Sequence, residues 1–331
     1  MNQIKFVLFF AIFCLTVYSQ KKLIAFSSDA TSNNKQQIFI MDENGDGLQQ
    51  ITSMEIDCYF PKFSPDGRKI VFYAKTELSD MLYMVNLEDS STYRFPAFID
   101  GGSDASFSPD GRLLIYRSEK DENNAIYITE LDSSESFAIS DGSLSMYAKF
   151  SPDGNKVIYS SSAEENFDLV VLDLNDTTDQ AQKTIVSSKD AELYGTFSPD
   201  GKRIAFSSFD INYKGTLKLC DAEGNNIKVV ASGGSAYNPK FSPDGKYLGF
   251  VWNKGGNLDL YICNSDGIGI KQITSGSENT VQFDWSGDGK KLVYESVGEG
   301  ISSITVLEVE TGSSQNLTGS KANNINPSFQ K

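Results

Sequence analysis

The side chains that could carry chemistry in this chain are carboxylates and tyrosines, because its 331 residues include no histidine. The absence of imidazole excludes Ser-His-Asp catalysis, Cys-His catalysis and histidine metal sites. Cleavage of a glycoside by two acidic side chains stays open. The cysteines add no further chemistry, since Cys58, Cys220 and Cys263 are too widely spaced for a zinc site and are expected to be buried free thiols.

One aspartate recurs within a short motif that reads Phe-Ser-Pro-Asp-Gly five times and Trp-Ser-Gly-Asp-Gly once. The motif begins every 43 to 47 residues, at Phe63, Phe107, Phe150, Phe197, Phe241 and Trp285. Pro, Asp and Gly in this order favour a tight turn in which Gly is left-handed. An identical residue in every repeat is better explained by the turn than by catalysis, so these aspartates are predicted to be structural. They are Asp66, Asp110, Asp153, Asp200, Asp244 and Asp288.

A further acidic stretch, Asp42-Glu-Asn-Gly-Asp-Gly47, resembles the first half of a calcium-binding loop. The bidentate glutamate that would complete such a loop falls on Ser53. Similar polar stretches follow Cys220 and Cys263 at corresponding places in their repeats. The stretch is therefore predicted to be a hairpin turn, and neither a metal nor another cofactor is expected.

The spacing of the motif also defines the elements that must position these side chains. Residues before each motif alternate between polar and apolar, which predicts a strand. Pro61, Pro239 and Pro327 place that strand at a sheet edge, because proline cannot donate to a ladder. An apolar second strand follows each turn, then a third strand and a short fourth strand, as at 49–52, 271–274 and 315–318. Four strands repeated at this interval predict the blades of a β-propeller, with the edge strand lining the central channel.

The two ends of the chain complement each other in this pattern. Residues 325–329 form a first strand with no second strand after it, and residues 22–26 form a second strand with no first strand before it. Together they predict a seventh blade, closed by pairing of the C-terminal strand with the N-terminal segment. The predicted fold is all-β: a seven-bladed β-propeller of four-stranded antiparallel blades in which residues 20–331 form a single domain.

The five intact motifs and the strands around them resemble the TolB-type, WD40-like propeller repeat. The hallmark of that family is a Trp/Phe-Ser-Pro-Asp-Gly turn between an inner strand and a second strand. The resemblance implies a propeller but no single activity, because folds host many functions. TolB itself resembles a six-bladed ring preceded by an α/β domain that contacts the partner complex, whereas this chain has seven repeats. The resemblance is therefore to the family and not to a TolB orthologue.

Candidate binding residues lie where the chain crosses from the fourth strand of one blade to the first strand of the next. These connections differ between repeats, and a specific ligand requires such variation because identical blades would present identical sites. Tyrosine and amide groups that converge on the mouth of a channel can bind a peptide segment or a sugar. The candidates are Tyr59, Phe60, Asp104, Tyr147, Tyr194, Tyr237 and Asn238. No catalytic residue is predicted.

Residues 1–19 predict a signal peptide, since Lys5 precedes an apolar run from Phe6 to Val17 that is shorter than the roughly 20 residues needed to span a bilayer. We expect export to the periplasm or the extracellular space, with no membrane insertion after cleavage. The chain carries 29 basic and 44 acidic residues, and this net charge of −15 disfavours a nucleic acid partner. The acidic surface is either merely solvated or attracts a cationic partner or divalent ions.

Three classes of function are compatible with this sequence. The first is an exported, monomeric interaction module without catalysis, whose partner is a protein or peptide. The second is a glycan-binding or glycan-cleaving propeller that uses Asp104, Asp141, Asp190 and Tyr194. The third is a stand-alone relative of the propeller domain of prolyl-oligopeptidase-type peptidases. The first class is favoured because the repeats account for the whole length after residue 19 and histidine is absent.

Overall fold

The computed structural model describes residues 22–77, 79–99, 105–118, 124–131, 133, 135–140, 143–163, 166–178 and 181–331. The predicted signal peptide, residues 1–19, lies outside the described residues, as do Asp104 and Asp141. The described residues form seven sheets of four antiparallel strands, arranged as a ring. The predicted seven-bladed propeller is thereby confirmed.

Every blade uses its four strands in the same spatial order, from the central channel outward. The innermost strands are β4 (Asp57–Phe63), β8 (Ser106–Phe107), β12 (Ser145–Phe150), β16 (Ala191–Phe197), β20 (Ser235–Phe241), β24 (Asn279–Trp285) and β28 (Asn324–Phe329). The second strands are β1 (Leu23–Ser28), β5 (Lys69–Lys75), β9 (Leu113–Ser118), β13 (Lys156–Ser161), β17 (Arg203–Phe209), β21 (Tyr247–Asn253) and β25 (Lys291–Gly298). The third strands are β2 (Gln37–Asp42), β6 (Asp80–Asn86), β10 (Ala125–Glu130), β14 (Asp168–Asp173), β18 (Gly215–Asp221), β22 (Leu258–Asn264) and β26 (Ile301–Glu308). The outermost strands are β3 (Gln49–Gln50), β7 (Thr92–Ile99), β11 (Ser136–Ala138), β15 (Gln182–Val186), β19 (Lys228–Ala231), β23 (Lys271–Gln272) and β27 (Ser314–Asn316).

The hydrophobic core is divided among the interfaces between neighbouring blades. Between the first two blades, for example, Ile38 of β2 packs in one cluster with Cys58 of β4 and Phe72 of β5. The second strands are covered on both faces, as their apolar sequences predict. The residue two before the first aromatic of each of the six motifs is also buried, as is the residue two before Phe329 in the closing blade, which confirms the predicted alternation of the inner strand. These residues are Pro61, Ala105, Ala148, Gly195, Pro239, Phe283 and Pro327.

The repeated motif forms the turn between the innermost and the second strand. Ser64 Oγ donates to Asp66 Oδ1 at 2.6 Å and accepts a hydrogen bond from the backbone N–H of Lys69 at 3.0 Å, while Gly67 has a left-handed φ of 69°. The same serine bonds recur in the other five copies. In one copy, the hydrogen bond from Ser108 lowers the pKa of Asp110 to about 2. The repeated aspartates are therefore turn residues, as predicted.

The outermost strands at 49–52, 271–274 and 315–318 are shorter than predicted. In each case a threonine side chain ends the ladder, because its hydroxyl replaces a backbone carbonyl as the acceptor for a third-strand N–H. Thr52 Oγ1 accepts from the N–H of Ile38 at 2.8 Å, and Thr274 Oγ1 accepts from the N–H of Leu260 at 2.9 Å. Thr318 accepts in the same way from the third strand of its own blade.

The C-terminal strand closes the ring as the sequence predicts. In the register of β28 against β1, Ile24 stands opposite Phe329 and Ser28 opposite Asn324. Phe329 is only 1% exposed, and it packs with Ile24 and with Val293 from the neighbouring blade. One blade therefore combines three strands from the N-terminal end of the chain with one strand from the C-terminal end.

The other structural expectations concern cysteines and the acidic loop. Cys58, Cys220 and Cys263 are buried and unpaired, and burial raises the pKa of each thiol to about 12. Asp42 Oδ1 accepts hydrogen bonds from the backbone N–H groups of Asn44 and Asp46, which confirms the predicted hairpin turn.

In the part of the chain that the structure describes, no helix is long and apolar enough to cross a membrane.

Candidate binding site in the central channel

A cavity of about 620 Å³ occupies the central channel and is lined mainly by the innermost strands. Its side chains form layers along the strand direction. The tyrosine layer, farthest from the motif turns, consists of Phe60, Tyr147, Tyr194, Tyr237, Asn238 and Gln282. The lysine layer consists of Lys62, Lys149, Lys240 and Lys331. Prolines of the motif turns (Pro65, Pro109 and Pro152) lie at the opposite end from the tyrosines.

A bulge in the innermost strand positions the tyrosine layer. In four blades the pairing with the second strand shifts register across the residues three and two before the motif. The first of these residues has a left-handed backbone in each case, with φ of 53° at Phe60, 60° at Tyr147, 61° at Tyr194 and 55° at Asn238. Bulky side chains rarely adopt this conformation, and such strain is concentrated at functional sites. A bulge of this kind re-aims the side chain, here towards the channel.

Three tyrosines from adjacent blades form a continuous aromatic surface, which we call the tyrosine cluster (Tyr147, Tyr194 and Tyr237). The ring centroids of Tyr147 and Tyr194 are 4.0 Å apart, and those of Tyr194 and Tyr237 are 6.2 Å apart. All three residues are half-buried. Burial, with a smaller contribution from Tyr194, raises the pKa of Tyr237, so its hydroxyl stays protonated and can donate a hydrogen bond.

The aromatic surface continues from the channel to an exposed hairpin at the same end of the molecule. The ring of Phe209 lies 6.4 Å from that of Tyr194, and Phe209 pairs with Ala191 at the start of the innermost strand. The hairpin between β17 and β18 follows directly. Its tip carries Ile211 and Tyr213, which are 94% and 86% exposed. Apolar side chains so exposed, beside an aromatic cavity, are typical of a surface that binds a partner.

The structure brings most of the predicted site residues together. Phe60, Tyr147, Tyr194, Tyr237 and Asn238 all line the cavity. Tyr59 does not line it, although its ring lies 6.4 Å from that of Phe60. Asp104 lies outside the described residues.

The lysine layer is the feature that reading the sequence missed. Lys62, Lys149 and Lys240 each stand one residue before a motif, and Lys331 is the C-terminal residue. Among the described residues that line the cavity there are four lysines and no aspartate or glutamate. Strand alternation could have predicted these lysines. The residue one before the motif falls on the same side of the strand as the residue three before it, which was already a candidate site position.

The lysines surround one buried carboxylate behind the cavity wall. Asp284, 9% exposed, accepts hydrogen bonds from Lys331 Nζ at 2.9 Å and from the N–H of Phe329 at 3.0 Å. Burial opposes ionisation of Asp284, but the charges of Lys331, Lys240 and Lys62 outweigh it and hold the pKa of this carboxyl well below its usual range. Asp284 is thus the charged partner that Lys331 contacts directly.

Lys240 is held differently from the other lysines. Its Nζ donates to the carbonyl oxygen of Phe283 and lies 4.9 Å from the centroid of that ring. Burial, and then repulsion from Lys62, lower the pKa of Lys240 well below its usual value. Burial likewise lowers the pKa of Lys62. Burial is thus the main cause of both shifts, and neighbouring lysines add to it.

The sequence profile described as the TolB beta propeller domain matches residues 17–182 and 170–331. The chain belongs to this family. A relative named Tol-Pal system protein TolB, from Xylella fastidiosa, is 39% identical over 68 residues, which are 20% of this chain and 16% of the relative. Because the match spans so little of that relative, it carries no activity or partner across to this chain.

Solved structures extend the likeness of this TolB-family propeller at the level of the fold. TolB from Acinetobacter baumannii has a TM-score of 0.61 and 17% identity, covering 93% of this chain and 66% of its own. An oligogalacturonate lyase in complex with manganese has a TM-score of 0.65 and 17% identity, covering 89% and 85%. At these identities the comparison shows a shared fold alone.

Two carboxylates of this TolB-family propeller, Asp190 and Glu192, lie at the start of the innermost strand β16 and outside the cavity lining. Glu192 is fully buried, and burial raises its pKa, although Ser188 and Ser208 donate to its Oε1 at 2.7 and 3.1 Å. Asp190 contacts the same Ser208 hydroxyl and does not line the cavity. Within the described ranges, no group of three or more cysteine, aspartate or glutamate side chains is arranged to hold a metal ion.

Proposed function

We propose that this TolB-family propeller is an exported binding module without catalysis of its own, and that it binds a segment of a protein or peptide at the channel mouth. The observation that carries the proposal is the tyrosine cluster, which three blades contribute and in which Tyr147 and Tyr194 have a left-handed backbone. Aromatic anchors in partly enclosed sites supply most of the binding energy in protein interfaces. A backbone that bears strain to present such anchors is suited to binding.

Two further observations support a protein partner. The exposed hairpin tip with Ile211 and Tyr213 extends the apolar surface beyond the cavity, as the rim of an interface would. The crossing connections that lead into the innermost strands differ between repeats, and a specific partner requires such variation. Export follows from the predicted signal peptide at residues 1–19, which would place the partner in the periplasm or outside the cell.

We expect Tyr147→Ala and Tyr194→Ala each to weaken partner binding by about 2 kcal/mol or more, the cost of removing an aromatic anchor. The measurement is a dissociation constant for the partner captured from envelope extract, determined by titration with each purified variant. Tyr93→Ala is the matched control, because Tyr93 is an exposed tyrosine on the outermost strand β7. Lys69→Ala and Lys156→Ala, next to the motif turns, test the opposite face of the ring.

The tyrosine variants should keep the melting temperature of the wild-type chain within a few degrees, since all these residues are partly exposed. If Lys69→Ala and Lys156→Ala abolished binding while the tyrosine variants left it intact, the functional face would be the one that carries the motif turns. The proposal would then be wrong in its location.

A glycan is the second candidate ligand. Tyr147 and Tyr194 offer flat apolar faces and hydroxyl groups, which suit a sugar ring as well as a peptide side chain. The fold shared with an oligogalacturonate lyase is compatible with this candidate. A glycan would make the module a lectin-like binder without changing the location of the site.

We expect no turnover when the purified chain is incubated with a panel of peptides and glycans, oligogalacturonates included. Carboxylate-based glycoside cleavage needs two acidic groups on either side of the scissile bond, and no carboxylate is among the described residues that line the cavity. Product formation would be followed by mass spectrometry. Turnover that is abolished by Asp190→Asn or Glu192→Gln would contradict the proposal and identify an enzyme.

A further inference from the structure

We propose that Glu192 holds a proton that it donates to Asp168, and that this shared proton is a pH-sensitive contact between the two blades that carry Tyr147 and Tyr194. Glu192 lies near the start of the innermost strand β16, and Asp168 begins the third strand β14 of the preceding blade. Tyr194 follows two residues after Glu192 on β16, and Tyr147 lies on β12, in the blade of Asp168. A change in the charge of Glu192 therefore acts on the interface that separates these two tyrosines.

The backbone places the two acidic side chains next to each other. The N–H of Glu192 donates to the carbonyl oxygen of Phe167, the residue before Asp168, at 2.7 Å. The interface that precedes β4 repeats this bond, because the N–H of Cys58 donates at 2.7 Å to the carbonyl oxygen of the residue before Gln37. There the corresponding side chains meet, since the thiol of Cys58 donates to Gln37 Oε1 at 3.9 Å. Glu192 and Asp168 occupy the positions of this pair in the later blades.

Each of the two carboxyl groups has one buried oxygen that accepts no hydrogen bond. Glu192 is fully buried and Asp168 is 4% exposed, and the unpartnered atoms are Glu192 Oε2 and Asp168 Oδ1. Two ionised carboxylates with buried, unpaired oxygens are unfavourable, because burial disfavours the charged form. A proton on Glu192 Oε2 makes that atom a donor and supplies Asp168 Oδ1 with a hydrogen bond. One proton therefore satisfies both atoms.

The charges around Glu192 are those of Asp168, Asp190 and Lys218, among the described side chains in contact with this cluster. Lys218 Nζ donates at 2.9 Å to the Ser208 hydroxyl that also contacts Glu192, and Asp190 Oδ2 lies 3.4 Å from the same hydroxyl. Burial raises the pKa of Glu192 and the charge of Asp168 raises it further, whereas the serine hydroxyls and Lys218 oppose the rise. Burial and the facing carboxylate thus outweigh the groups that favour ionisation.

Loss of this proton should weaken the fold as the pH rises. Because the folded protein holds the pKa of Glu192 above its ordinary value of 4.5, it keeps a proton that the unfolded chain has already released. The stabilisation is fully present below pH 4.5 and is lost as the pH rises through the raised value. Between these two values the unfolding equilibrium constant should increase by up to about tenfold per pH unit.

The test compares urea unfolding of the mature chain and three variants at intervals from pH 4.5 to about pH 8. Glu192→Gln keeps a donor for Asp168, so it should lack this pH dependence and be more stable than wild type at the upper end. Asp168→Asn should narrow the pH range over which stability is lost, since the facing charge is gone. Asp190→Asn is the matched control beside the same strand and should keep the wild-type dependence. Glu295 is unchanged in all four proteins, so its own raised pKa cancels in the comparison.

Two results of this comparison would overturn the proposal. If Glu192→Gln lost stability with pH as steeply as wild type, another group would be the one that titrates. If Asp168→Asn kept the full wild-type dependence, Glu192 would titrate as a single buried acid with no shared proton.

Hydrogen exchange of the wild-type chain tests the proposal without any substitution. The N–H of Glu192 spans the interface, and the N–H of Cys58 makes the corresponding contact where Gln37 stands in the place of Asp168. The segment around Glu192 should lose protection relative to the segment around Cys58 as the pH rises above 4.5. Equal loss of protection in the two segments would overturn the proposal.

The consequence for binding rests on the proposed function. A looser interface moves Tyr147 and Tyr194 apart, so partner affinity should decrease as the pH rises, and Glu192→Gln should remove that decrease. Affinity that is constant with pH would overturn this link between the proton and binding. The unfolding and exchange measurements involve no partner, so their failure overturns the shared proton and leaves the proposed function intact.

Discussion

Removal of residues 325–331 should leave a chain that no longer unfolds cooperatively at the temperature of the full-length protein. The deletion takes away the innermost strand of the closing blade and exposes the edge of β1, which now pairs with β28. The single substitution Phe329→Ala should cost about 3–5 kcal/mol, as for other fully buried aromatic side chains. Differential scanning calorimetry of the full-length chain, the truncated chain and the Phe329→Ala variant measures both losses of stability.

Phe137→Ala provides the control for the closure experiment, because Phe137 is 62% exposed on the outermost strand β11. A change of no more than about 0.5 kcal/mol is expected there. Equal melting temperatures for the truncated and full-length chains would show that β28 does not hold the ring together.

Asp284→Asn should be the second most damaging change, with a loss of about 1–3 kcal/mol at pH 7, less than for a fully buried ion pair because the Lys331 side chain is 43% exposed. The side chain keeps its shape, so the loss reports charge and not volume. Without the carboxylate, Lys331 Nζ keeps its hydrogen bond to the carbonyl oxygen of Trp285 but loses its charged partner, and the attraction of Asp284 for Lys240 and Lys62 is also lost. Urea unfolding followed by circular dichroism measures the difference from wild type.

The difference in free energy of unfolding between wild type and Asp284→Asn should decrease in acid. The folded protein holds the pKa of Asp284 below its ordinary value of 3.8, so ionisation of this group stabilises the fold. That contribution is fully present above pH 3.8 and is lost as the pH falls through the depressed value in the folded state. The gap between wild type and Asp284→Asn should therefore be constant from pH 7 to pH 5 and shrink in stronger acid. A gap that stays the same at pH 2.5 would contradict the assignment to charge.

The overall fold could be predicted from the sequence because one period and one turn motif determine it. The Ser-Pro-Asp-Gly turn sets where the two inner strands meet, and the unpaired strands at 22–26 and 325–329 imply closure of the ring. The ends of the outermost strands could not be predicted. These strand ends depend on whether a hydroxyl such as that of Thr52 accepts a hydrogen bond from the neighbouring strand. Local sequence patterns do not determine that contact.

The site was predicted in part. The aromatic residues of the tyrosine layer stand out by position, but their left-handed backbone at Phe60, Tyr147 and Tyr194 arises from a bulge that strand alternation alone does not specify. The lysine layer was not predicted because the net charge of −15 describes the whole chain and does not indicate where individual lysines lie. Four lysines line the described part of the channel, and only the ring geometry brings these residues from separate repeats together.

The central claim is that a partner segment binds at the channel mouth, and site-specific photo-crosslinking tests it most directly. A photo-reactive phenylalanine analogue would replace Tyr147 in one protein and Tyr93 in another, and both would be irradiated in envelope extract. The analogue at 147 should form a covalent product with one discrete partner, which peptide mapping traces to a short segment, and the analogue at 93 should form none. A product formed from position 93 and not from position 147 would contradict the claim.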